Sequence, residues 1–350
     1  MCQLVDPQAY HVSEWNIAAD PWDRAYWLGL FEQFPRWIEP LLRADAAQAG
    51  GDFETRWPAF EAEYQAELAK VRAAAEANGH LMTIDLTRLR NRLLARYNWT
   101  DPYRQVKTRE NALAAELYPG VVRSVDATPA GRERWDLLFR GLFAGNMFDL
   151  GSPKTIEMYH RGELAFQTIL GQVPPRPWFI DDADALMERL GPPGRYRQAL
   201  IFVDNAGTDI VLGVVPLVRE MARAGTRVVL AANDAAALND ITLAELRPLL
   251  GRLADRDAVL AGLCAEDRVV AIGSGGDTPL IDLGRVSEEC NAQAARSDLV
   301  VLEGMGRGVE SNWDQSFKCD AWRVALLKDE SVVRHHNARL FDAVCRFDAA

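Results

Sequence analysis

The chain has 350 residues, 49% of them hydrophobic, and carries 50 acidic against 39 basic side chains, a net charge of −11. That much apolar material supports a sizeable core, and the acidic balance argues against nucleic acid or an anionic membrane surface as a partner. Five cysteines without a Cys-x-x-Cys pair offer neither a disulfide framework nor a zinc–thiolate site. No apolar run reaches the roughly 18 residues of a membrane span, and Met1 to Asp23 lacks a signal-peptide core, so a cytoplasmic protein is expected.

Residues 1 to 45 are rich in Trp and Pro, among them Trp15, Trp22, Trp27, Trp37, Pro21, Pro35 and Pro40. They predict short helices laid on a surface. Glu54 to Asn78 is helical in pattern: Phe60, Tyr64, Leu68 and Val71 recur at three or four residues, and Asn78-Gly79 closes it. Leu81 to Tyr97 reads the same way. Lys107, Glu110 and Asn111 fall in a further helix, which Pro119-Gly120 is expected to break. Gly131 to Phe148 is again helical. It ends in Gly145-Asn146-Met147-Phe148-Asp149-Leu150-Gly151, poor helix sequence that either caps a helix or lines a pocket. Asn146, Asp149 and Arg123 are therefore candidate pocket-wall residues.

Pro174, Pro175, Pro177 and then Pro192-Pro193-Gly194 mark a change of regime. Beyond them four short aliphatic runs read as strands: Gln198 to Val203, Arg227 to Ala231, Arg268 to Ile272 and Leu299 to Leu302. Helical stretches separate most of them, which argues a parallel α/β sheet. The expected fold is α/β, a three-layer α/β/α Rossmann-like parallel sheet with an N-terminal all-helical region. The expected division is residues 1–195, helical, and 196–350, α/β and metal-binding.

Each strand ends in polar chemistry. The first runs into Asp204-Asn205, with Gly207 and Asp209 just beyond and a helical pattern from Ile210 to Ala224. The second ends at Ala232-Asn233-Asp234, followed by Asn239-Asp240. The third ends at Gly273-Ser274-Gly275-Gly276-Asp277 and the fourth at Glu303-Gly304-Met305-Gly306-Arg307. In a parallel sheet these ends share one edge, where open α/β folds place ligands. Acids and amides with few His suit a hard or borderline divalent cation. Glycines let a phosphate approach backbone N–H groups, and Arg307 can clamp its oxygens. Lys328 closes the apolar run Val324 to Leu327, where a cation needs an anion to meet it. Gly273 to Gly276 lacks the third glycine of the dinucleotide fingerprint.

Taken together these stretches resemble the damage-control phosphatase family (DUF89, ARMT1-like). They are most similar to its second subfamily, which includes the C-terminal phosphatase domain of pantothenate kinase 4. The subfamily signature Glu-Gly-Met-Gly-Arg stands intact at Glu303 to Arg307. Further matching stretches are Asp101-Pro102-Tyr103 with Lys107, Glu110 and Asn111; Tyr118 to Ser124; Gly145 to Asp149; Asp204 to Gly207; Ala237 to Thr242; and Leu326-Leu327-Lys328. The resemblance implies a divalent metal (Mn²⁺, Mg²⁺, Co²⁺ or Ni²⁺) on Asp204, Asn205 and Asp240. It also implies substrate contacts from Asp209, from Glu303, Gly304, Met305, Gly306 and Arg307, and from Lys328. The implied activity is metal-dependent hydrolysis of a small phosphorylated metabolite, such as 4′-phosphopantetheine or a damaged form. Asp204 serves as nucleophile or only as ligand, with Asp209 or Glu303 as the base. The alternatives are a repurposed metalloenzyme, transferring methyl groups or oxidising a metabolite, and a non-catalytic metabolite-binding module. The chain departs from the family pattern at Glu310, where relatives carry His, and at Ala232 to Ala235.

Overall fold

The computed structural model describes residues 3–49, 52–147 and 170–350. Five helices come first: α1 (Pro21–Ala49), α2 (Phe53–Asn78), α3 (Thr83–Arg96), α4 (Arg104–Ala127) and α5 (Arg132–Met147). The short strand β1 (Ile180–Asp181) and helix α6 (Ala183–Leu190) follow. Then come β2 (Gln198–Phe202), α7 (Val215–Arg223), β3 (Arg227–Ala232), α8 (Leu243–Ala254), α9 (Ala258–Ala265) and β4 (Val269–Gly273). The chain continues with α10 (Glu288–Ala294), β5 (Leu299–Glu303), β6 (Asp320–Leu326), α11 (Glu330–His335) and β7 (Ala343–Asp348).

The seven strands form one sheet in the order β1-β7-β6-β5-β2-β3-β4, parallel except for the β6–β7 pair. β2 alternates strictly. Ala199, Ile201 and Val203 face a core shared with α4 to α8, while Leu200 and Phe202 face a second core with Cys290 and Ala294 of α10. A strand buried on both faces must be apolar throughout, which is why this run was legible. Helices α1 to α3 form a third cluster with Val309, Leu327 and Val332, and Met305 and Leu238 pack against it. They therefore lie against the loops at the carboxyl edge of the sheet. No helix among the described residues is long and apolar enough to cross a membrane.

Three expectations need correction. The N-terminal stretch is not a set of short helices: α1 runs 29 residues through Pro35 and Pro40. Likewise α4 continues through Pro119. An interior proline costs about 3 kcal/mol. Burial of Trp27, Leu28, Phe31, Phe34, Ile38 and Leu42 along one face of α1 outweighs it. So does burial of Tyr118, Val121, Val122 and Val125 around Pro119. Third, the helix after β2 opens as a π-helical turn, Asp209–Val214, before becoming α7. Pro216 would clash with the Leu212 carbonyl in a regular α-helix, and the wider turn relieves it.

Candidate active site

β2 and β5 are neighbours at the point where the strand order reverses, since β3 and β4 lie to one side and β6 and β7 to the other. Both strands end in the same device. A carboxylate stands at the strand end, Asp204 or Glu303, and a π-helical turn follows, Asp209–Val214 or Gly306–Glu310. The two ends are stitched together, since the Asp204 N–H donates to Glu303 Oε2 at 2.7 Å.

Asp204, Asp209 and Glu303 are buried, and each offers an oxygen within 4.8 Å of the others. Asn205 Nδ2 donates to Asp204 Oδ2 at 2.6 Å and to Asp209 Oδ2 at 2.8 Å. Asn146, at the end of α5, donates to the same Asp209 oxygen at 2.6 Å. Arg307 lies across the group, with one nitrogen on Asp204 and the other on Asp240 at 2.7 Å. Asp240 also accepts from Asn233 at 3.0 Å, and its backbone bridges to that of Asn205. Lys328 sits just past β6 at the rim, exposed, and its amine donates to the Asn146 carbonyl at 3.0 Å. A cavity of about 220 Å³ opens over this group, lined by Glu110, Asn146, Met147, Asn205, Asp209 and Lys328. Gly304 has φ +101°, and a Cβ there would overlap the Asp204 carboxyl group, so only glycine fits.

Burial and the Asp204 charge push Asp209 up to about 6, against the pull of Lys328, Asn205 and Asn146. Burial, with Asp209 and Asp204, raises Glu303 well above the carboxylate range. Burial raises Asp240 too, against the pull of Arg307. Arg307 is desolvated, yet the Asp240 and Asp204 carboxylates hold its pKa above the ordinary value.

Two carboxylates no more than 4.8 Å apart repel by about 3 kcal/mol or more at an effective dielectric of about 20. Three cannot all stay ionised without a counter-charge. Among the described residues, Asp209 Oδ1 and Asn146 Oδ1 are buried and accept no hydrogen bond. An all-oxygen set with spare acceptors fits a divalent cation of the Mg²⁺ or Mn²⁺ kind.

The sheet edge thus brings together Asp204, Asn205, Asp209, Asp240, Glu303 and Arg307, with Asn146 and Lys328 at the wall. Met305 lies beside Lys328, whose N–H is 3.4 Å from its sulfur. Gly306 opens the second π turn. Arg123 is on the exposed face of α4, outside this group. Asp149 lies outside the described residues. Sequence reasoning did not assign roles to Lys107, Glu110, Asn111 and Asn233. Lys107 is fully buried behind Asp240, donating to its carbonyl at 3.3 Å and pairing with Asp101 and Glu245. Asn111 accepts from the Gly207 N–H at 2.7 Å. Their spacing along α4 puts all three helix residues on one face, a signal that was available.

The damage-control phosphatase ARMT1-like domain matches residues 42–344. A damage-control phosphatase of Arabidopsis thaliana is 38% identical over 87% of this chain and 83% of its own length. Pantothenate kinase 2 of Arabidopsis thaliana is 33% identical over 99% of this chain, and a mouse 4′-phosphopantetheine phosphatase 30% identical over the same share. The chain spans only 41% and 48% of those two longer proteins. The solved structure of a DUF89-family protein from Pyrococcus horikoshii shares the fold, with TM-score 0.63 and 16% identity over 91% of this chain and 96% of the other. A family match across most of the chain, together with an acidic group at the switch point of the sheet, means that the chain belongs to the damage-control phosphatase (ARMT1-like) family and is a phosphatase of that class.

Proposed function

We propose that the protein is a metal-dependent phosphomonoesterase acting on a small phosphorylated metabolite of the 4′-phosphopantetheine kind. The observation that carries the reaction class is the convergence of three buried carboxylates, with Asp209 Oδ1 and Asn146 Oδ1 lacking partners among the described residues, beside the Arg307 and Lys328 cations. The substrate class is taken from the mouse relative's activity. Asp204, Asn205 and Asp240 would hold the cation, with Asp204 common to both possible acid sets. A bound divalent cation supplies charge neutralisation at a phosphate oxygen. Lys328 and Arg307 meet the remaining oxygens, and Asn146 fixes Asp209 in place. Asp209 and Glu303 face the reacting group as candidates for proton transfer, and Asp204 either attacks phosphorus or only holds the ion.

The test is release of inorganic phosphate from a panel of monoesters that includes 4′-phosphopantetheine. The protein is stripped with chelator, then reloaded with Mn²⁺, Mg²⁺, Co²⁺ or Ni²⁺, with and without S-adenosylmethionine. The expected result is phosphate release that needs the metal and ignores the methyl donor. Absence of phosphate from every monoester, or turnover only with the methyl donor, overturns the reading. Metal content of two variants separates the acid sets: Asp240→Asn loses the ion if Asp240 is a ligand, whereas loss only in Glu303→Gln points to the carboxylate triad.

A further inference from the structure

Helix α3 carries a buried cation that has no ion pair among the described residues. Arg90 is 4% exposed. Its guanidinium lies over the rings of Phe31 and Phe34, 5.6 and 5.2 Å from their centroids, and its Nε donates to Asn91 Oδ1 at 3.0 Å. Among the described residues no carboxylate pairs with it, the Asp240 charge acting on it only from beyond ion-pair distance, and its Nη2 has no hydrogen-bond partner. Among the described residues the other buried lysine and arginines are all paired: Lys107 with Asp101 and Glu245, Arg134 with Glu220, Arg219 with Asp126 and Asp257, Arg307 with Asp204 and Asp240, and Arg323 with Asp348. A buried charge without a counter-ion in direct contact is costly. Aromatic faces recover only part of that cost. A water bridging Arg90 to the neighbouring Tyr64 hydroxyl, which has no partner among the described residues, would answer one N–H and leave the charge.

Arg90 lines a cavity of about 210 Å³ with Arg88, Arg92, Phe34, Tyr103 and Leu238. Arg88 is engaged by Asp282 at 2.6 Å, whereas Arg92 has no ion pair among the described residues. The lining holds three arginines against one acid, Asp277, and the rest is mainly aromatic and aliphatic. The space equals about seven waters at roughly 30 Å³ each, room for a molecule the size of benzoate. The cavity is distinct from the acidic pocket. Leu238, whose backbone is left-handed at φ 54°, lines this one, and the next residue, Asn239, lines the other. A thin wall of one loop therefore separates them.

We propose that this cavity is a second ligand site, for a small organic oxyanion. A carboxylate or phosphonate-like head pairs with Arg90 and Arg92, and a short apolar body packs on Phe34, Tyr103 and Leu238. The proposal does not depend on the phosphatase reading. Its test is calorimetric titration of benzoate and of phenylphosphonate into the full chain stripped of metal, where the acidic pocket repels anions. The expected result is one binding event with at least one probe. Arg90→Met and Ala95→Trp should each weaken it by roughly tenfold or more, the scale of one lost charge-assisted hydrogen bond. Ala95 is an exposed lining residue, so a Trp there fills the cavity and leaves the Arg90 charge intact. It keeps the test decisive if Arg90→Met fails to fold. Absence of binding by both probes to the unaltered protein, or unchanged affinity in Ala95→Trp, overturns the site.

Discussion

The apolar run before Lys328 is strand β6, fully buried, and the lysine emerges at the strand's end with its amine on the Asn146 carbonyl. It departs from what its neighbours predict: the buried run before it calls for a cation met by an anion, whereas the side chain is exposed. At the rim, its positive charge is available to an incoming phosphate at little desolvation cost. Lys328→Met should keep the fold and metal content while lowering phosphate release by roughly a hundredfold, the scale of one lost charge-stabilising donor. Near-normal turnover with metal still bound would remove Lys328 from the machinery. Glu310 is the opposite case, since nothing in its sequence context announces burial. Burial, then the Asp329 and Asp204 charges, push it up to about 8, with the Thr83 hydroxyl pulling back. Its unfolded value is near 4.5. The folded state therefore holds this proton more tightly, giving stability that is present below about pH 4.5 and lost as pH rises through about 8. Glu310→Gln should match the parent near pH 4.5 in urea denaturation and exceed it at pH 8. Equal midpoints at both pH values would show that Glu310 ionises freely. Strand-end acids such as Asp204 and Glu303 were legible because a buried parallel strand stops abruptly. Asn233 was not: its role depends on the partners Asp240 and Thr278, which only the tertiary structure supplies.

At the level of elements, the close approach of α5 to the first π turn sets the position of Asn146. A Cβ at Gly145 would lie 2.9 Å from the Thr208 carbonyl oxygen and 3.2 Å from Asp209 Cα. Gly145→Ala should therefore lift the end of α5, costing roughly 1–3 kcal/mol of stability. Phosphate release should fall with it, because Asn146 loses its hold on Asp209. An unchanged denaturant midpoint together with unchanged turnover would mean that α5 does not set this distance. The odd composition of the Gly145 patch was visible in the sequence, but the glycine-to-backbone contact that explains it was not. Helix α11 ends at His335, and His336 caps it. His335 stacks on Trp15 at 4.4 Å, and His336 meets the Trp313 ring at 4.8 Å. Burial, then the His335 charge, lower His336 to about 4, with Asp314 opposing and Arg346 adding to the shift. Glu14 also lines this corner. The unfolded chain takes up the proton first, so this contribution to stability is lost as pH falls from about 6.5 toward 4. The loss of urea midpoint between pH 7 and pH 5 should be smaller in His336→Gln than in the parent, and an equal loss would clear His336 of the effect.

For the whole molecule, the fold class was readable because period and composition change together near residue 195, from helical faces to short buried strands. The cores do not respect that change. One joins α4, α5 and α6 to β2, β3 and β5, and another joins α1 to α3 with Val309, Leu327 and Val344. β1 was missed because two residues carry no period, and β7 because its outer half is only partly buried. Residues 196–350 expressed alone should expose both apolar surfaces, bind a hydrophobic dye and lack a native near-ultraviolet dichroism spectrum. A native-like spectrum from that fragment would establish the second region as an independent unit. The same sharing bears on the order of events during folding. The link between the Asp204 N–H and Glu303 spans 99 residues, and that from Lys328 to Asn146 spans 182. Closures of that length surrender chain entropy before any contact rewards them, and they slow folding. Helices α1 to α5 can gain secondary structure early, yet the acidic group cannot exist until distant strands have docked. In time-resolved refolding, far-ultraviolet dichroism should therefore recover ahead of enzymatic turnover, which returns only with the slowest phase.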